Sequence, residues 1–188
     1  MRKVIAAFNM TLDGYCDHTS GIPADEIHFH YAKQLEEAGV ILYGRTTYQL
    51  MEYWRDVLAN PTGEKHMDDF AAAIDKVPKL VFSRTLKSVD WASARLATRE
   101  LAEEVQELKQ QAGKDIYVSS PSLIVQLTQL GMIDEYQLCI HPVIAGSGLP
   151  LFKDISDRIV LKLTKTKVFD FGGVILYYEP ADKTPSSA

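Results

Sequence analysis

Residues 115–144 read DIYVSSPSLIVQLTQLGMIDEYQLCIHPVI, and their pattern decides the fold. DIYVS is a short apolar run of the kind that forms a buried strand, and DEYQLCIHPVI is another. Between them, PSLIVQLTQLG carries Ile124 and Leu127 on one face at helical spacing. Ser120 and Pro121 mark where this helix starts. A serine before the first turn can accept an early helix N–H, and a proline in that turn lacks only an N–H that has no partner there. Strand, helix and strand in one short stretch argue for an α/β sheet.

The same alternation runs upstream. Val4–Phe8 reads as a buried strand, followed by the loop LDGYCDHTSGIP. From Ala24 to Ala38, Ile27, Tyr31 and Leu35 recur every four residues until Gly39 stops the helix. GVILYG at 39–44 is a strand, and TTYQLMEYW opens a helix that Thr46 or Thr47 can cap. After a break at residues 60–66, MDDFAAAIDKVP is a helix ending before Pro78, and KLVFS at 79–83 is a strand. TRELAEEVQELKQQAGK sets Leu101, Val105 and Leu108 on one helix face. Downstream of the glycine loop AGSGLP the character changes. RIVLKLTKTKVF and GVILYYEP are β-branched and aromatic runs joined by DFGG, the pattern of an antiparallel hairpin.

The expected fold is a three-layer α/β domain with a central mixed, mostly parallel sheet flanked by helices and an antiparallel C-terminal hairpin at one edge. It should occupy residues 1–180 as one domain, with the polar stretch ADKTPSSA at 181–188 as a disordered tail.

A net charge of −5 without a Lys/Arg stripe argues against a nucleic-acid partner. No apolar run approaches the roughly 20 residues that span a bilayer, so no membrane partner is expected. Cys16 and Cys139 stand far apart and form no CxxC pair, which suggests a reduced, cytoplasmic setting. His28 and His30 lie two apart on a helix and face different ways, so no metal site is expected.

In open α/β sheets ligands bind beyond the C-terminal ends of the strands. Here those ends carry NMTLDG at 9–14, GRTTY at 44–48, SRT at 83–85 and SSPS at 119–122. Glycine lets a ligand approach the backbone, while arginine, hydroxyls and helix N–H groups suit an anion. Arg45 and Arg84 at two strand ends fit a phosphorylated cofactor, though each is also compatible with an ordinary surface arginine. Asp25 reads equally as an acid at a helix start, and Asp13 as a turn aspartate. Ser119 and Ser120 lack the G-x-S-x-G surroundings of a hydrolase nucleophile.

NMTLDG, GRTTY, SRT, DIYV followed by PSLI, GMIDEYQLCIHPVIAGSGLPLF and FGGVILYYE together resemble the dihydrofolate-reductase-like superfamily. The nearer likeness is to the branch containing the C-terminal reductase domain of bacterial riboflavin-biosynthesis bifunctional proteins, over roughly residues 2–179. The resemblance implies an NADPH-dependent reductase, homodimeric in this branch, that transfers hydride to a small pyrimidine- or pterin-like heterocycle. Arg45 and Thr46 would receive the 2′-phosphate and adenosine side, assisted by Ser83, Arg84 and Thr85. Gly44, Thr47, Ser119, Ser120, Ser122 and Leu123 complete that side, with Ala7 and Leu12 toward the nicotinamide. The substrate side would comprise Asn9, Asp13, Asp25, Phe29, Tyr48, Gly146 and Gly148. IPAD-x-x-x-F at 22–29 is similar to the true dihydrofolate reductases, which makes Asp25 the candidate polarising carboxylate, with Asp13 as the other.

One departure stands out. Ser119–Ser120 occupy the place of the family's glycine pair, and Pro121 removes one helix-start N–H. This leaves open the alternative of a non-catalytic ligand-binding or structural member with weakened cofactor affinity.

Overall fold

The computed structural model describes residues 1–181. Fourteen elements run β1 (Val4–Thr11), α1 (Asp25–Glu37), β2 (Val40–Gly44), α2 (Arg45–Met51), α3 (Tyr53–Ala59), α4 (Lys65–Lys76), β3 (Lys79–Phe82) and β4 (Ala94–Leu96). They continue with α5 (Leu101–Gln110), β5 (Ile116–Val118), α6 (Pro121–Gln129), β6 (Glu135–His141), β7 (Leu161–Val168) and β8 (Val174–Pro180). The eight strands form one sheet in the order β4-β3-β2-β5-β1-β6-β8-β7. The first six in that order are mutually parallel, and β8 and β7 add antiparallel at the far edge. This is the mixed three-layer architecture with a terminal hairpin that the sequence pattern predicts.

The layers follow from the alternation of side chains along a strand. Val4, Ala6, Val40, Leu42, Ile116 and Val118 face one side and pack with Val105 and Leu108 of α5 and Ile124 and Leu127 of α6. Ile5, Ala7, Ile41, Tyr43, Val81 and Tyr117 face the other and pack with Leu35 of α1, Val57 of α3 and Phe70 and Ile74 of α4. Both faces are covered, so the central strands are apolar at consecutive positions rather than alternating. Each fully buried Leu or Ile contributes about 1.5–3 kcal/mol relative to exposure. At the hairpin turn Gly172 takes φ +89°, a backbone conformation that favours glycine.

Several local expectations need correction. β1 runs on to Thr11 rather than stopping at Phe8, because its register with β6 continues to Thr11 opposite His141. TTYQLMEYW forms two short helices, and the first begins at Arg45 with Gly44 at the cap position, so neither Thr46 nor Thr47 caps it. Ser120 does hold the cap position of α6, with Pro121 in the first turn, but its side chain makes no capping bond. β4 lacks a recognisable pattern of its own; three residues become a strand by pairing with β3. The tail at 181–188 lies, apart from Ala181, outside the described residues. Among the described residues, no helix is long and apolar enough to cross a membrane.

Candidate functional site

The C-terminal ends of β1, β2, β3, β5 and β6 open into a cleft of about 1300 Å³ that extends beneath α1. One half of it gathers glycine, arginine and hydroxyl groups from the ends of β2, β3 and β5. β2 ends at Gly44, whose N–H donates to Ser120 Oγ at 2.8 Å. The start of α6 packs beside this strand end, where a Cβ on Gly44 would make an ordinary contact with Ser122 Oγ at 3.4 Å. Next to it, Arg45 Nη1 donates to Thr85 Oγ1 at 2.9 Å. The Ser83 hydroxyl holds the turn that presents Thr85, accepting the N–H groups of Thr85 at 3.2 Å and Leu86 at 3.0 Å. The motifs GRTTY and SRT, some forty residues apart in sequence, thus form one surface, and the positive end of α6 faces the same strand ends.

The other half, under α1, is neutral and aromatic. Tyr31 donates its hydroxyl to Asn9 Oδ1 at 2.7 Å, leaving the Asn9 amide nitrogen uncommitted by that bond. Gln34 of α1 donates its side-chain amide to Gln137 Oε1 of β6. His28 stacks on His66 with ring centroids 5.3 Å apart and meets the edge of Trp54 at 5.4 Å. Burial pushes the His28 imidazole below its usual range, so at neutral pH it is uncharged. Among the described residues no three His, Cys, Asp or Glu side chains gather as a metal site would require.

Of the residues singled out by sequence, Ala7, Asn9, Gly44, Arg45, Thr46, Thr47, Ser83, Arg84, Thr85, Ser119 and Ser122 line this cleft. Ser120 is 1% exposed, its hydroxyl turned under β2 rather than into the cleft. Leu123 packs in the core between the sheet and α6, and Tyr48 lies in the opposite core beside Trp91. Leu12 is 66% exposed and stands outside the lining, as does Phe29, which is partly exposed beside His66.

The two aspartates stand apart from the cleft. The Asp25 side chain is 70% exposed, with Oδ1 3.4 Å from His66 Nε2. Asp13 ties two loops together: it accepts Thr11 Oγ1 at 2.6 Å, Ala145 N–H at 3.0 Å and Gly146 N–H at 2.7 Å. These donors, the Thr11 hydroxyl foremost, lower its carboxyl to about 2. Gly146 and Gly148 belong to the loop so tied and do not line the cleft.

Sequence reasoning missed His28, Tyr31, Gln34, Trp54 and His141 as cleft residues. Tyr31 was visible only as part of an apolar helical stripe, and such a stripe does not distinguish packed core from cavity wall. His141 lay inside a strand with no local signal.

Comparison with known proteins identifies the family and the fold. The family model described as RibD C-terminal domain matches residues 2–177. The uncharacterized protein YyaP of Bacillus subtilis strain 168 is 34% identical over 183 residues, covering 94% of each chain. Among solved structures, a Shewanella sp. PV-4 protein provisionally named for riboflavin biosynthesis superposes with a TM-score of 0.72 at 18% identity, covering 95% of this chain and 99% of that one. A Thermotoga maritima diaminohydroxyphosphoribosylaminopyrimidine deaminase/5-amino-6-(5-phosphoribosylamino)uracil reductase gives 0.66 at 15% identity, over 96% of this chain and 57% of the larger protein. The chain belongs to the RibD C-terminal domain family, within the dihydrofolate-reductase-like superfamily, and carries its reductase fold.

Proposed function

We propose that this RibD C-terminal domain protein is an NADPH-dependent reductase of a small pyrimidine- or pterin-like heterocycle. The observation that carries this reading is the convergence of Arg45, Thr85 and the Gly44–Ser120 contact at the start of α6. A guanidinium beside hydroxyls and a helix N-terminus is a fitting receptor for a phosphate monoester. Gly44 lines the cleft next to Arg45 and presents backbone without a side chain there.

NADPH, when bound, supplies the hydride; the protein supplies binding, orientation and a shielded cleft. On this reading the 2′-phosphate lies on Arg45 and Thr85, with Arg84, Thr46 and Thr47 around it. The heterocycle lies between α1 and the sheet, where Asn9, Tyr31, Gln34 and His28 offer neutral hydrogen bonds between aromatic walls. Asp13 shapes the cleft through the two loops it joins, and Asp25 through His66, rather than by touching the ring. We further propose that the protein acts as a homodimer in the cytoplasm.

Titration of the purified protein with NADPH and NADH, followed by cofactor fluorescence, tests the reading. NADPH should bind more tightly, and Arg45→Ala should reduce that preference by removing a charge-assisted contact, about tenfold in affinity. Absence of binding by either nucleotide at millimolar concentration would favour a second reading, a non-catalytic ligand-binding protein. That alternative draws on Ser119, whose side chain lines the cleft where a bare backbone would admit phosphate more closely.

A further inference from the structure

His141 ends β6 opposite Thr11 and is only 3% exposed, yet it lines the cleft. Its Nδ1 accepts the backbone N–H of Ile22 at 3.1 Å. An imidazole nitrogen that accepts carries no proton, so the neutral ring must hold its proton on Nε2. Burial pushes the group below its ordinary range, which keeps it in that neutral form. Nε2 itself meets no partner among the described residues.

The chain passing over this ring is fitted to it. A Cβ on Gly21 would lie 3.0 Å from His141 Cε1, 3.2 Å from Nδ1 and 3.3 Å from Nε2. Gly21 therefore rests on the face of the ring, and Phe171 flanks it with centroids 5.4 Å apart. The segment so held, residues 17–23, contributes Asp17, His18, Gly21, Ile22 and Pro23 to the cleft wall. Its first residue is tied separately, Asp17 accepting the Leu149 N–H at 2.7 Å. Between Gly21 and the start of α1, the bond to His141 is the one hydrogen bond to the sheet among the described residues.

We propose that His141 is a positioning residue: a buried acceptor of fixed tautomer that holds the 17–23 segment in place as one wall of the ligand cleft. Phenylalanine at this position keeps a ring under Gly21 but accepts nothing from Ile22. Asparagine loses the ring but retains an acceptor near the Nδ1 position. The two substitutions therefore separate the hydrogen bond from the packing.

The test is amide hydrogen exchange at Ile22 in the whole protein, with NADPH affinity as a second readout. His141→Phe should speed exchange of the Ile22 amide about tenfold and weaken NADPH by a similar factor, and His141→Asn should restore much of both. Imidazole ¹⁵N spectra of the unmodified protein should show His141 protonated at Nε2. Gly21→Ala, which lifts the segment off the ring, should raise Ile22 exchange with the histidine intact, and so serves if the Phe variant does not fold. Unchanged protection of Ile22 in both His141→Phe and Gly21→Ala, or a proton on Nδ1, would overturn the proposal. Only the affinity readout rests on the proposed function: failure of the unmodified protein to bind NADPH would refute that function and leave the exchange measurements to decide the role of His141.

Discussion

The hydroxyl of Ser120 accepts the backbone N–H of Gly44 at 2.8 Å, joining residues 76 positions apart at the ends of neighbouring strands. The bond takes the hydroxyl away from the helix it precedes and uses it to fix the turn that presents Arg45. Ser120→Ala should leave the Gly44 N–H without that partner and destabilise the protein by about 1–3 kcal/mol, measured by urea unfolding. Ser119 behaves differently, because its side chain faces the cleft. Ser119→Gly should leave stability nearly unchanged and tighten NADPH binding several-fold by baring the backbone; weaker binding would identify the hydroxyl as a ligand contact.

Tyr31 and Asn9 test the proposed substrate half. Tyr31→Phe removes the hydroxyl that orients the Asn9 amide. Turnover of a heterocyclic substrate should fall about tenfold while NADPH affinity stays level. An equal loss in both would show that the two halves of the cleft are not separate.

Asp13 supplies a pH-dependent tie. Its carboxyl stands at about 2, below the ordinary 3.8, because Thr11, Ala145 and Gly146 donate to its charged form. A lowered carboxyl stabilises the fold fully above its unfolded value and loses that contribution as pH falls through the folded one. Protection of the Gly146 amide should therefore fade between about pH 4 and pH 2 in the unmodified protein. In Asp13→Asn it should be weak already at neutral pH, read by hydrogen exchange.

Lys79 gives the opposite case. It is 1% exposed, donates to Val77 O at 2.9 Å and Ser93 Oγ at 2.7 Å, and lies 3.9 Å from the Trp91 ring centroid. Burial lowers its pKa from 10.5 to about 8. Between those values the unfolded chain binds the extra proton, so stability rises with pH across that window and the whole penalty is present below it. The rise should be on the order of 3 kcal/mol. Urea unfolding of Lys79→Met across the same window should lack it.

The alternation of apolar strands with amphipathic helices was enough to give a mostly parallel sheet covered on both faces, and DFGG was enough for the terminal hairpin. These are local signals, repeated every two or four residues. GRTTY and SRT were also legible as strand ends carrying glycine, arginine and hydroxyls, and both line the cleft. β4 was not legible, because its three residues become a strand only by pairing with β3.

By itself the sequence determined the layers, the hairpin and the chemistry available at each strand end. Only the tertiary structure decided which of those groups meet. The sheet places β5 between β2 and β1, so Ser120 arrives beneath Gly44 and turns from cap to cross-brace. The same long-range order brings Arg45 to Thr85 and Ile22 to His141, and leaves Asp25 facing His66 outside the cleft. Periodicity reports which face of an element is apolar, whereas a hydroxyl, carboxylate or imidazole takes its role from partners that strand order brings near.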